Sequence, residues 1–227
     1  MKKIVVFTGA GISAESGLPT FRGSDGLWEG YAIEDVATPD AWKKNPELVQ
    51  QFYNQRRKDC MAAVPNEAHY KLKELEDDYD IQIITQNIDD LHERAGSSQV
   101  LHLHGQIRKS QSSINPNLIY DMDADTLSMN DLCELGSPLR PHVVWFGEAV
   151  PAMREASALV KQADALVVIG TSLQVYPAAN LLHDVRHDAK IILIDPNAHQ
   201  YSLATRVIRI AENASQGVNY LANLLAK

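Results

Sequence analysis

The stretch Ile4-Val5-Val6-Phe7-Thr8-Gly9-Ala10-Gly11-Ile12-Ser13-Ala14-Glu15-Ser16-Gly17 constrains this chain more than any other. An apolar run ending in Thr-Gly-Ala-Gly reads as a buried strand closing on a tight turn into a helix start, and it fits G-x-G-x-x-A. Gly9 allows the turn, Gly11 lets backbone approach a pyrophosphate, and Ala14 permits close packing of the helix on the strand. N–H groups at a helix start would then face the phosphates. The same pattern alone also describes a plain strand-to-helix turn. Its place after a clear buried strand favours a dinucleotide, NAD or a close relative.

Short runs rich in Val and Ile recur with helical stretches between them: Ile4–Thr8, Ile81–Thr85, Val100–His104, Ala165–Gly170, Lys190–Ile194 and Val207–Ile210. Continuous apolar runs in alternation with helices indicate an α/β fold, a mostly parallel sheet covered by helices on both faces. Residues 27–75 read as helices without a strand, and residues 106–140 are polar and rich in Ser, Asn and Asp. Both are expected to be insertions that build a small lobe on a single domain spanning 1–227. The large part would then be 1–26, 76–105 and 141–227. Ser112 to Asp131 offers little apolar surface and is expected to be the most mobile stretch.

At 227 residues, 45% hydrophobic and 22% charged, the chain can bury a sizeable core. It has no apolar run near the roughly 18 residues of a membrane span. Met1-Lys2-Lys3 followed by Ile4–Phe7 looks like the opening of a signal peptide, but Thr8-Gly9 cuts the apolar run below the roughly 7–15 residues required. A cytoplasmic location is expected. The formal charge of −8 argues against nucleic acid and permits a basic partner such as a lysine-bearing protein. Cys60 and Cys133 are the only cysteines, too few for a disulfide framework or a four-thiolate zinc site.

A hydride-transferring enzyme would carry, about 20 residues after the glycine turn, a second strand ending in an acidic residue for the ribose. Here the chain runs Leu18-Pro19-Thr20-Phe21-Arg22-Gly23-Ser24-Asp25-Gly26-Leu27-Trp28, a loop and a candidate lid. That points to a different chemistry. Asn87 and Asp89 follow the strand Ile81–Thr85 at the edge where open α/β sheets bind ligands, although Asn-Ile-Asp-Asp also suits an Asx-type cap. His102 and His104 share a strand face, so spacing does not separate a base from a structural histidine. Pro138–Glu148 is an extended apolar run that also reads as a buried strand with an aromatic plug. Tyr53 and Arg56, three apart on a helix from about Glu47 to Val64, share one face; an exposed Arg beside an aromatic is the plain alternative.

Taken in order, Gly9–Arg22, Thr85-Gln86-Asn87-Ile88-Asp89, Leu103-His104-Gly105, Pro138–Glu148, Gly170-Thr171-Ser172 and Asp195-Pro196-Asn197 resemble the sirtuins, the NAD-dependent protein lysine deacylases. The resemblance spans nearly the whole chain. It implies a Rossmann-like large part, a small lobe, and an acyl-lysine peptide in the cleft between them. By resemblance, Gln86 and Asn87 contact the nicotinamide ribose and Asp89 the carboxamide. Gly9, Ala10, Gly11, Ala14, Phe21, Arg22, Ile88, Gly170, Thr171 and Ser172 line the rest of the NAD site, with Asn197 and Ala214 at the adenosine end. The His-Gly pair marks His104 as the general base for a ribose hydroxyl, with Asn87 the second catalytic residue. Val144 to Glu148, with Val144, Phe146 and Gly147 as contacts, would pair with the substrate as an added strand.

Most sirtuins hold a structural zinc with two Cys-x-x-Cys pairs. This chain has Lys109-Ser110-Gln111-Ser112-Ser113 in place of the first and only Cys133 with Gly136 in place of the second, so no zinc is expected. A Tyr and an Arg spaced as Tyr53 and Arg56 mark the family's subgroup that accepts acidic acyl groups, which implies succinyl- and malonyl-lysine as substrates with acetyl also accepted. The implied reaction yields free lysine, nicotinamide and acyl-ADP-ribose. The rivals are a hydride-transferring dehydrogenase and an NAD-binding or ADP-ribosylating protein without efficient deacylation. A monomer is expected.

Overall fold

A computed structural model describes residues 1–20, 28, 30–203 and 206–226. The expected contacts Phe21 and Arg22, with most of the candidate lid, lie outside the described residues. In chain order the elements are β1 (Lys3–Thr8), α1 (Ile33–Val36), α2 (Pro39–Lys44), α3 (Pro46–Ala62), α4 (Glu67–Glu74), β2 (Asp80–Thr85), α5 (Leu91–Arg94), β3 (Val100–His102), β4 (Gly105–Ser112), β5 (Ile119–Asp121), β6 (Leu139–Val143), α6 (Met153–Gln162), β7 (Ala165–Ile169), β8 (Lys190–Ile194), β9 (Val207–Ile210), α7 (Ala214–Gly217) and α8 (Leu221–Ala226).

Six parallel strands form one sheet in the order β3-β2-β1-β7-β8-β9. Alternate residues of β1 go to opposite faces. Ile4 and Val6 pack with Ile81, Ile83, Val167 and Ile169 beneath Ala68 and Leu72 of α4 and Leu221 and Leu225 of α8. Val5 and Phe7 pack with Leu166 and Val168 beneath Ala156 and Val160 of α6. Because both faces are covered, every residue of β7 is buried, which is why the strand reads as an unbroken apolar run. Each such side chain contributes roughly 1.5–3 kcal/mol of burial. The fold is Rossmann-like, as expected, and the strand order reverses between β1 and β7, the switch point at which ligands bind in open α/β sheets.

Residues 106–140 are less irregular than expected. They supply most of a three-stranded antiparallel sheet, β5-β4-β6. Ile107 and Val143 of this sheet join Val36, Val49, Phe52, Tyr53 and Trp145 in a third apolar cluster under α3. Within Ser112 to Asp131, Met122 and Leu127 are buried, and Asn54 of α3 clasps Leu127 through both its backbone N–H and its carbonyl.

Two local expectations need correction. Among the described residues, no α-helix directly follows the glycine turn. Ala10–Ile12 and Ala14–Ser16 are 3-10 turns, stopped by Gly17 at φ +88°, whose N–H bonds to Ala14, with Pro19 just beyond. Strand β3 ends at His102, not His104, because Gly105 at φ +83° turns the chain out of the large sheet into β4. The Cβ of any other residue at 105 would collide with the His142 carbonyl.

Candidate active site

The C-terminal ends of β1, β2, β7 and β8 open onto a cleft of about 610 Å³, within the range of small-molecule sites. A second recess of about 330 Å³ shares Gly11, Gly170, Asp195 and Asn197 with it, so the two adjoin as one trough. Gly9, Ala10, Gly11, Gln86, Asn87, Ile88, Asp89, Gly170, Thr171, Ser172 and Asn197 line the cleft, together with His104, Tyr53, Arg56, Val144, Phe146 and Gly147. Ala14 and Ala214 line only the second recess. Ala14 is exposed there and does not pack on the strand as expected, since the helix that would have turned it inward is absent.

Gly9 and Gly11 have a steric duty of their own. A Cβ at Gly9 would stand 2.7 Å from Cβ of Thr171, and one at Gly11 would stand 2.6 Å from Cα of Gly170. The turns after β1 and β7 therefore touch backbone to backbone. Gly9 N–H donates to the Ile169 carbonyl (3.0 Å) and Gly11 N–H to the Gly170 carbonyl (2.8 Å). Several amides expected to face phosphates are thus spent within the turn, Ile12 and Ser13 included, whose N–H groups bond to Gly9 and Ala10.

Around Asn87 the polar groups form one network. Asn87 Nδ2 donates to Ser13 Oγ (3.1 Å), and Ser13 Oγ donates to Asp89 Oδ2 (3.0 Å), whose Oδ1 accepts from the Leu91 N–H (3.2 Å). The capping and ligand readings of this segment coexist, because Asp89 bonds the first residue of α5 while lining the cleft. Burial raises the Asp89 carboxyl above its usual value, partly offset by the bonds from Leu91 and Ser13. Ser13 is fully buried and central to the network, yet no reading of the glycine turn singled it out; a small hydroxyl inside a turn looks the same whether it serves the turn or a ligand.

His104 and His102, inseparable by spacing, occupy different places. His104 lies beyond the strand in the cleft wall, and its Nδ1 is 3.0 Å from the Gln86 carbonyl. A carbonyl only accepts, so Nδ1 carries the proton and Nε2 keeps its lone pair. Burial lowers the His104 pKa below 6.5, with the Gln86 carbonyl opposing, so the ring is a free base at neutral pH. Gln86 is held in turn by Nε2–H donation to Thr171 Oγ1 (2.8 Å).

In the same cleft, burial holds the Tyr53 phenol protonated, and the Arg56 guanidinium lies 4.2 Å from the centre of the Trp28 ring. Both face the cleft. The 144–148 turn is braced by Arg140, which pairs with both Glu148 oxygens (2.8 and 3.0 Å), bonds the Val143 carbonyl (2.8 Å) and stacks 3.5 Å over Trp145. Glu148 Oε2 also accepts from the Trp145 N–H (2.7 Å), while the Val144 and Phe146 amides bond the His104 and Ala37 carbonyls.

In the small lobe, Ser112, Cys133 and Ser137 meet. The Cys133 thiol donates to Ser112 Oγ (3.3 Å) and contacts Ser137 Oγ (3.1 Å), and the two hydroxyls lie 3.1 Å apart. One thiol and two neutral hydroxyls do not make a zinc donor set. Among the described residues no three His, Cys, Asp or Glu side chains gather for a metal.

Fold and cleft together define an α/β protein whose nucleotide trough at the sheet's switch point also contains an imidazole base. A model described as the Sir2 family matches residues 9–177. A Helicobacter pylori protein named NAD-dependent protein deacylase is 54% identical over 227 residues, covering 100% of this chain and 97% of that protein. One of the same name from Aggregatibacter actinomycetemcomitans is 57% identical over 198 residues, covering 87% and 95%. Among solved structures, a Sir2 homolog–NAD complex superposes with a TM-score of 0.88 at 39% identity, covering 98% of this chain and 89% of that one. A Sir2–p53 peptide–NAD+ complex gives 0.79 at 32%, covering 98% and 93%. The chain belongs to the Sir2 family.

Proposed function

We propose that this chain is an NAD-dependent protein lysine deacylase that removes succinyl and malonyl groups, and acetyl as well, releasing nicotinamide and O-acyl-ADP-ribose. The observation that carries the reading is the His104 ring, locked by the Gln86 carbonyl with Nε2 unprotonated, in the same cleft as the glycine turn and the Tyr53–Arg56 pair. NAD, when bound, supplies the ribose carbon that takes the acyl oxygen and the nicotinamide that departs, and a water molecule completes the balance as the lysine amine leaves.

The chain's own residues do the rest. His104 Nε2 takes a proton from a ribose hydroxyl, and its lowered pKa keeps it able to do so at neutral pH. Asn87 and Asp89, fixed on Ser13, hold the nicotinamide end in one orientation. Ala10, Gly170, Thr171, Ser172, Asn197 and Ala214, with Ala14 and Gly11 on the trough, serve the adenosine and phosphate end. Val144, Phe146 and Gly147 pair with the peptide, and the guanidinium of Arg56 with the phenol of Tyr53 receives an acyl carboxylate. We take the small lobe, residues 27–75 and 106–140, to be metal-free, and the chain to act as a cytoplasmic monomer without nucleic-acid partners. The charge of −8 supports the last point, and among the described residues no helix is long and apolar enough to cross a membrane.

The test is to incubate the protein with NAD and acetyl-, succinyl- and malonyl-lysine peptides while following peptide mass and free nicotinamide. Nicotinamide should appear only with acyl peptide, and His104→Ala should slow it by about 10²–10⁴-fold. Arg56→Met should depress succinyl and malonyl removal but spare acetyl removal. ADP-ribose on protein without loss of acyl groups would reject the reading.

A further inference from the structure

His102 is absent from the cleft wall, and the reaction proposed above gives it no task. Its environment is nonetheless specific. The side chain is only 5% exposed; Nδ1 lies 2.9 Å from the Asn87 carbonyl and Nε2 lies 2.7 Å from Glu93 Oε1 on α5. A carbonyl oxygen has no proton to give, and neither does an ionised carboxylate. A neutral imidazole donates from one nitrogen only and would set a lone pair against one of these oxygens. Both bonds form together only when both ring nitrogens carry protons.

We propose that His102 is a positioning residue, an imidazolium clamped between Glu93 and the Asn87 carbonyl that holds the Asn87-Ile88-Asp89 segment in register with Ser13 and the nicotinamide end of the cleft. The inference rests on the deacylase reading for its kinetic consequence, not for its geometry. Asn87 is approached from two sides: its side chain by Ser13 and its carbonyl by His102. Loss of one His102 proton sets a lone pair against either the Glu93 carboxylate or the Asn87 carbonyl, and so loosens the clamp that anchors this segment to α5.

The charged groups around the ring agree with this assignment. Burial works against a charged His102, but the bond and charge of Glu93, the Asn87 carbonyl and the Asp89 carboxylate outweigh it and raise the pKa above 6.5. Burial raises Glu93 as well, and the bond from His102 outweighs that, with Lys109 on β4 adding a smaller pull, so the carboxylate stays ionised. His92 on α5 and His142 on β6 lie within electrostatic reach of the ring; both are lowered chiefly by burial and stay neutral at neutral pH, adding no repulsion there. His104, two residues on, moves in the opposite direction. One histidine should therefore set the acid limb of the pH profile below 6.5, and the other the alkaline limb above it.

Two measurements test this. NMR of histidine-labelled protein, with His102 assigned by its loss in His102→Gln, should show His102 doubly protonated and titrating above 6.5. Glu93→Gln, which keeps an acceptor on a half-exposed side chain, should lower that midpoint. In parallel, kcat/KM for NAD should fall on an alkaline limb that shifts down in Glu93→Gln and vanishes in His102→Gln, while the acid limb stays in place. His102→Gln should cost about ten-fold at neutral pH. A His102 midpoint at or below 6.5, or an alkaline limb unmoved by Glu93→Gln, overturns the proposal. If no acyl peptide is turned over, the deacylase reading fails, and the His102 titration with the pH dependence of NAD binding still decides the clamp.

Discussion

The two sheets of this molecule are held together by different means. In the parallel sheet the strands are apolar on both faces, and the turns after β1 and β7 close by backbone contacts such as Gly11 against Gly170. In the antiparallel sheet, β4 turns Ser110 and Ser112 inward, and its far end is tied by the Ser112–Cys133–Ser137 cluster, where Ser112 Oγ also accepts from the N–H groups of Ile114 and Asn115. The first depends on shape, the second on hydroxyl hydrogen bonds. Close-packed backbone has no slack, whereas a hydrogen-bonded cluster can trade one partner for water.

Substitutions should expose that difference. Gly170→Ala should have the largest effect, because its φ is +62° and the new Cβ would meet the backbone of Gly11 and Ile12. A loss of about 3 kcal/mol or more is expected in urea denaturation, and a loss under about 1 kcal/mol would mean the turns are not in rigid contact. Acid should come next. His69 and His92 sit under the glycine turn with ring centres 4.9 Å apart, and His92 Nε2 meets Thr8 Oγ1 at 3.1 Å. Burial pushes His69 down to about 4 and His92 well below 6.5. The unfolded chain takes up these protons first, so stability present above pH 6.5 is lost as pH falls toward 4. The loss should be about 3 kcal/mol from His69 alone, and a His69→Gln variant should show a flatter acid limb in thermal melts.

Ser112→Ala should cost less, about 1–2 kcal/mol, since it strands the amides of Ile114 and Asn115 near solvent. Hydrogen exchange should rise in β4 and β5 and leave β1 and β7 unchanged; equal loosening of both sheets would erase the contrast. Smallest of all should be the response to a metal chelator, with an unchanged melting temperature and unchanged nicotinamide release. A drop in either would show that the lobe draws on a metal after all.

The same contrast governs what is legible in the amino-acid sequence. Ile4–Thr8, Ala165–Gly170 and Lys190–Ile194 were visible because a strand buried on both faces must be apolar throughout. Strand β4 was not, because its inward positions are filled by Gly105, Ile107, Ser110 and Ser112, and a register shift between Gly105 and Ser110 breaks the alternation. Among site residues, those at the ends of apolar strands, such as Asn87 and Gly170, followed from topology. His104 needed the resemblance, because the turn at Gly105 that parts it from His102 depends on a collision with His142, nearly forty positions away in the chain.

That turn has a mechanical consequence. Only Leu103 and His104 separate β3, an edge strand of the parallel sheet, from β4, the central strand of the antiparallel one. The imidazole therefore sits at the junction of the two sheets, where any tilt of one sheet against the other would turn the ring about its own position and displace it little. The His104 carbonyl, bonded to the Val144 amide, ties that junction to the 144–148 turn. In the deacylase reading proposed above, that placement keeps the distance from base to ribose independent of how the two sheets sit against one another.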